Sequence, residues 1–147
     1  CDLAYAANEA KFSDGHVPIG LSAGDGGVPV WPFYTNIRKA KEYMLTGDYI
    51  PAQEADEMGL INESVPAEEL DSLVEKVASK IASGPQQAIT YTKKSLNTWL
   101  EFGVNLTLRE SMALELLTQQ HEDHEAALDA FLAGEEVDFP SATGDSR

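Results

Sequence analysis

Cationic residues are scarce in this sequence. Ten Lys and Arg stand against twenty-five Asp and Glu, for a formal charge of −15. A nucleic-acid partner is excluded on that ground, because a polyanion needs a basic surface to bind. Cysteine is scarcer still. Cys1 is the single one, so no internal disulfide can form, and a reducing cytoplasm is the expected compartment. No apolar run approaches the roughly 18 to 20 residues that cross a bilayer, so no membrane partner is expected. The longest apolar cluster, residues 74–81, is broken by Glu75, Lys76 and Lys80. The opening lacks a basic leader and an initiator Met, and reads as a strand continuing from something longer. Apolar residues nevertheless make up 43% of the 147, enough for a real core.

The pattern along the chain is a few short strands followed by helices. Residues 1–6 and 10–12 read as strands around an Asn8-Glu9 turn. Residues 13–27 form a loop with glycines at 15, 20, 24, 26 and 27, a density that lets backbone approach a ligand closely. Helices are expected over 28–34 and 37–45, the second stopped by Gly47, and over 51–58, stopped by Gly59. A strand fits 60–65. In residues 66–82, Leu70, Leu73, Val74, Val77, Ala78 and Ile81 recur at helical spacing. After Ser83-Gly84-Pro85, two separate helices are expected over 86–100 and 105–120, and a last one over 122–133 ending at Gly134. The tail, 135–147, reads as loose and acidic. Strands this few and short cannot make an independent sheet.

Residue by residue, few groups invite chemistry. Asp14 reads as a turn residue, and Asp25 as a turn-former or helix N-cap. His121 and His124 have helical metal-ligand spacing, but no third ligand cluster accompanies them, so no metal site is expected. Trp31, Trp99, Tyr91 and the Met112, Leu116, Leu117 stripe read as core or subunit contacts. Cys1 reads as a buried strand residue.

Taken in order, several segments resemble the crotonase superfamily, the enoyl-CoA hydratase/isomerase family. They are Cys1-Asp2-Leu3-Ala4-Tyr5-Ala6, Ala10-Lys11-Phe12, the glycine loop Gly20 through Gly27, Lys39-Ala40 with Leu45-Thr46-Gly47, and Ala52-Gln53-Glu54-Ala55. Gly59-Leu60-Ile61-Asn62 with Val65-Pro66, Thr92-Lys93-Lys94-Ser95-Leu96-Asn97 and Phe131-Leu132 complete the set. No one motif is specific; their order and spacing over residues 1–133 carry the resemblance. It implies an α/β fold, a spiral of ββα units. This chain would supply the last short strands with the active-site loop (1–65), a C-terminal helical region for oligomerisation (66–134) and the tail (135–147). It also implies homo-oligomers, trimers or dimers of trimers. The implied activity is stabilisation of an acyl-CoA thioester enolate by two backbone N–H groups, which in the family precede the segment matched by Cys1. Coenzyme A would enter as part of the substrate, and no separate cofactor is implied.

Two departures from the family stand out. Where its hydratases carry a second catalytic Glu after the Phe12 step, this sequence has His16. Histidine can take and give a proton near neutral pH, but it brings positive charge where a carboxylate brings negative. Asp25 stands where the family has a small residue, and His16 with Asp25 is expected to form the catalytic pair. Gly15, Ile19 and Gly24 are expected to line the substrate. The His16…Gly24-Asp25-Gly26 pattern followed by Val30-Trp31-Pro32 also resembles oxocamphor hydrolase, which cleaves a cyclic β-diketone without CoA. At the end of the last helix, Glu135 and Glu136 replace the family's basic residues, leaving Arg147 as the nearby cation. An enoyl-CoA hydratase-like enzyme is therefore the leading expectation. A CoA-independent β-diketone hydrolase and a non-catalytic or incomplete crotonase fragment are the alternatives.

Overall fold

The computed structural model of the protein describes residues 1–143. The chain runs β1 (Tyr5–Ala7), β2 (Lys11–Phe12), a 3₁₀ turn (Val17–Ile19), α1 (Gly27–Tyr34), α2 (Ile37–Thr46), β3 (Ile50–Pro51) and α3 (Ala52–Glu57). It continues with β4 (Glu63–Val65), α4 (Ala67–Ala82), α5 (Gln86–Thr118), α6 (Glu122–Ala133) and a second 3₁₀ turn (Pro140–Thr143). The strands form two small ribbons. β1 pairs in parallel with β4, Ala6 opposite Ser64, and β2 pairs antiparallel with β3, Phe12 opposite Ile50.

The core is built from small residues around one large one. Ala6, Tyr43, Ile50, Ala52, Ala55 and Ile61 form the main cluster, with Ile50 wholly enclosed. Ala23, Ala40 and Met44 form a second, and the half-buried Trp31 touches both. Ala52 and Ala55 let the short α3 sit directly on the strand ribbons. Asn36 caps α2 by accepting from the backbone N–H of Arg38 and Lys39, and Gly47 ends it at φ 71°.

The helical half departs from expectation in one large respect. α5 is a single 33-residue helix, not two. Glycine in a helix interior is unfavourable by roughly 0.5–1 kcal/mol relative to alanine, and Gly103 lies in the gap between the two helices expected. Here the missing Cβ is what α1 needs. A side chain at Gly103 would collide with the Phe33 ring and come within 3.1 Å of the Pro29 carbonyl. Packing therefore overrides local propensity.

Smaller corrections follow the same logic. The first strand is confined to Tyr5–Ala7, and Cys1 is exposed, not buried. Pro51 ends a two-residue strand before α3 begins at Ala52, and the strand expected over 60–65 is limited to Glu63–Val65. The α4 stripe is only partly covered, with Val74 and Ile81 exposed. Trp99, Tyr91 and Leu117 are also exposed, so within this chain they are not core. The tail is tied down at Ser141, whose N–H and Oγ both donate to Asp123, at 3.0 and 2.6 Å. Arg147 lies outside the described residues.

A charged cluster pins α2 to α3. Lys39 Nζ lies 3.2 Å from Glu54 Oε1 and 5.4 Å from the centre of the Tyr43 ring. The Tyr43 hydroxyl first, and then Lys39, hold the Glu54 carboxyl below its ordinary 4.5. In return, hydrogen bonding to Glu54, followed by burial, raises Tyr43 above its ordinary 10.0. The depressed carboxyl contributes stability above pH 4.5 that is lost as pH falls through its lower folded value. The raised phenol contributes stability below pH 10.0 that is lost as pH rises through its higher folded value. Urea melts of Glu54→Gln should therefore show a stability deficit against the parent that is full near neutrality and shrinks at both extremes. A deficit independent of pH would remove this cluster from the stability of the α2–α3 junction.

Candidate active site

The loop over 13–27 is glycine-rich, yet it is fixed from three sides. At the end of α2, Ser13 Oγ donates to the Gly47 carbonyl at 3.1 Å, and a side chain at Gly47 would collide with the Pro18 ring. From α5, Ser111 Oγ donates to the Gly24 carbonyl at 2.9 Å, and Thr118 Oγ1 accepts from Ser22 N–H at 3.0 Å. From α6, His124 Nδ1 donates to the Ile19 carbonyl at 2.7 Å. Gly20, at φ 70°, lets the α6 N-terminus close against the loop: a Cβ there would lie 2.8 Å from Asp123 and His124 backbone. A loop held this way presents its side chains from a rigid frame.

His16 is the centre of what that frame holds. Its Nδ1 lies 2.9 Å from Asp14 Oδ1, and its own backbone N–H donates to the same oxygen at 3.2 Å. A carboxylate accepts, so Nδ1 is the donor to Asp14, and the ring turns Nε2 to the opposite side. Asp14 is thus not a plain turn residue. Its side chain is 6% exposed, against 25% for His16 and 63% for Asp25. Sequence reasoning missed it because an Asp before a Gly looks like a turn-former; its burial is decided by Gly27, where a side chain would collide with Asp14 Oδ2.

Asp25 stands on the other side of the ring, with Oδ1 3.6 Å from Nε2. The expected pair is therefore brought together, but Asp25 is the solvent-facing partner and Asp14 the orienting one. Asp25 does not cap α1; Gly26 holds that position, without a side-chain bond. A third carboxylate arrives from α5. Ligand atoms of His16, Asp25 and Glu115 all lie within 4.8 Å of one another. Glu115 Oε2 is enclosed and has no hydrogen-bond partner. No sequence signal pointed to it, since only the packing of α5 on Gly24 brings it to the loop.

The remaining candidates divide. Around Gly15 there is open space where a side chain would go, and Ile19 is 40% exposed beside the cluster. Gly24 is buried, and its bare Cα faces Ser111 instead of a cavity. His121 serves as the N-cap of α6, accepting from Asp123 N–H, while His124 anchors Ile19, so both have structural partners. A groove of about 820 Å³ lies between Leu3, Phe33, Ile81 and the first half of α5, and shares no lining residue with the His16 cluster. An imidazole with one nitrogen held by a buried carboxylate and the other turned to two further carboxylates is an arrangement that can move a proton.

Comparison with known proteins gives a consistent picture. The Enoyl-CoA hydratase/isomerase family model matches residues 1–141. A short-chain-enoyl-CoA hydratase of Clostridioides difficile is 35% identical over 105 residues, 71% of this chain and 68% of that protein. A crotonyl-CoA hydratase of Syntrophomonas wolfei is 32% identical over 145 residues, 96% of this chain and 54% of that protein. Among solved structures, an enoyl-CoA hydratase/isomerase from Mycobacterium paratuberculosis superposes with a TM-score of 0.77 at 38% identity, over 86% of this chain and 50% of that one. An enoyl-CoA hydratase from Mycobacterium avium subsp. paratuberculosis superposes at 0.86 and 26% identity, over 95% and 56%. The chain thus spans about half the length of most of these relatives.

Proposed function

Because the chain belongs to the enoyl-CoA hydratase/isomerase family and has its crotonase fold, we propose that it carries the proton-transfer half of an active site acting on an acyl-CoA thioester. The observation that carries this reading is His16, clamped at Nδ1 by buried Asp14 and facing Asp25 and Glu115 with Nε2. Nε2 takes a proton from the substrate or from water as the enolate forms, and returns it as the enolate collapses. Asp14 balances the charge of the imidazolium in between, and fixes the ring so that no reorientation is needed. Asp25 and Glu115 hold the water that a carboxylate pair holds in hydration chemistry. Gly15 and Ile19 border the thioester, and coenzyme A is part of the substrate. The enolate oxygen is met by backbone donors outside residues 1–147, as the length of the relatives suggests.

Association of copies belongs to the same reading. Leu106 on α5 and Phe131 and Leu132 on α6 are 68%, 78% and 82% exposed, apolar side chains of the kind that subunit contacts cover. Trimers fit that exposure. No described helix is long and apolar enough to cross a membrane.

The test is calorimetric titration with acetoacetyl-CoA, a thioester that mimics the enolate, using protein produced at its full genetic length. Saturable binding is expected, and it weakens in His16→Ala and Asp25→Ala. A folded protein that binds no thioester would overturn the reading and favour a CoA-independent β-diketone hydrolase.

A further inference from the structure

Around His16 the polar atoms are unbalanced. With Nδ1 committed to Asp14, Nε2 faces Asp25 Oδ1 at 3.6 Å, and Glu115 closes the group within 4.8 Å. Two carboxylates thus converge on one ring nitrogen. Glu115 Oε2 is moreover shut away from water with no partner, a state that a buried carboxylate oxygen rarely keeps without a proton, a water or a cation.

We infer that His16, Asp25 and Glu115 form a binding site for one divalent transition-metal ion of the zinc type, and that metal occupancy silences the proton chemistry of His16. One imidazole and two carboxylates are a borderline N/O ligand set, suited to zinc or cobalt. Calcium or magnesium would ask for six or more oxygen ligands, and the imidazole disfavours them. With metal–ligand distances of about 2.0–2.2 Å, tetrahedral ligand atoms lie roughly 3.4 Å apart. His16 and Asp25, 3.6 Å apart, already come near that spacing, and Glu115, within 4.8 Å, reaches it by a shift of at most about 1.4 Å. The exposed side of Asp25 leaves the fourth position to water. Asp14 supplies what metal-bound histidines ordinarily have, a carboxylate on the second ring nitrogen that fixes tautomer and orientation. The metal would take the same Nε2 lone pair that the proposed proton transfer uses, so the two exclude each other; this last part rests on that functional reading.

The experiment is titration of full-length, chelator-treated protein with Co²⁺ alone, followed by visible absorption, with Zn²⁺ in a calorimeter alongside. One equivalent should bind with the intense bands of four-coordinate cobalt. Affinity should fall at least tenfold in Asp25→Asn and Glu115→Gln, and about 10- to 100-fold in Asp14→Asn. The exposed Asp25 makes its variant the one least able to disturb folding, while His121→Ala should bind as the parent does. Absence of saturable binding, or binding unaffected by Asp25→Asn and Glu115→Gln, overturns the site. Thioester turnover is measured separately with and without Zn²⁺. Inhibition that disappears in Asp25→Asn supports mutual exclusion. Binding of one equivalent with turnover unchanged leaves the site standing and removes His16 from the proton transfer.

Discussion

If the proposed reading holds, His16→Gln is expected to lower the turnover of enoyl-CoA thioesters by about 10²- to 10⁴-fold, the usual contribution of a positioned acid–base group, and to leave stability nearly unchanged. The glutamine amide can still donate toward Asp14, so the buried carboxylate stays satisfied, but no basic nitrogen faces Asp25. His16→Ala lowers turnover equally and adds a second effect. Asp14, 6% exposed, keeps only the backbone N–H of residue 16 as a partner. Losing one partner of a buried carboxylate is unfavourable by roughly 1–3 kcal/mol. The two variants thus separate the roles of one ring: both lower turnover, and only alanine lowers the urea midpoint. Steady-state hydration of a short-chain enoyl-CoA, followed by loss of the conjugated absorbance, reads the first, and urea melts read the second. Parental turnover in His16→Gln would show that the proton travels another way.

What could be read in advance, and what could not, has a physical pattern. The stop at Gly47 and the start of α4 after Pro66 depend on signals within a few residues, and each is where the sequence puts it; His16 and Asp25, nine residues apart on one loop, do lie near each other. The misses all come from contacts between distant segments. Gly103 falls in the expected gap between two helices until Phe33 is seen to need its space. Asp14 looks like a turn until Gly27 lets it be buried. Glu115 looks like one more acid on an acidic helix, and becomes a site residue only because α5 lies against Gly24. Cys1, Trp99 and Leu117 follow a related rule: apolar character marks them as interior, yet nothing among the described residues covers them.

The same close approach of α5 to the loop sets the second large effect, expected in Gly24→Val. A side chain at position 24 meets the Ser111 carbonyl, and its Cβ would stand 2.8 Å from Glu115 Cβ. Backbone on one side and the middle of a long helix on the other leave it nowhere to go, so the loop itself must lift away from α5. That breaks the Ser111 Oγ to Gly24 carbonyl bond and carries the adjacent Asp25 out of reach of Nε2. Overpacking of this kind destabilises by about 1–3 kcal/mol. A displacement of about 1 Å at reacting groups is worth about 10²-fold in rate. Two companions separate the causes. Ser111→Ala deletes the hydrogen bond without adding volume, so its stability loss should stay near 0.5–1.5 kcal/mol and its turnover should remain closer to the parent. Gly15→Ala adds the same first carbon on the same loop where nothing lies within 4 Å. Its urea midpoint should match the parent's to within about 0.5 kcal/mol. If Gly24→Val keeps both stability and turnover, the contact with α5 does not position the loop, and Glu115 loses its place beside His16.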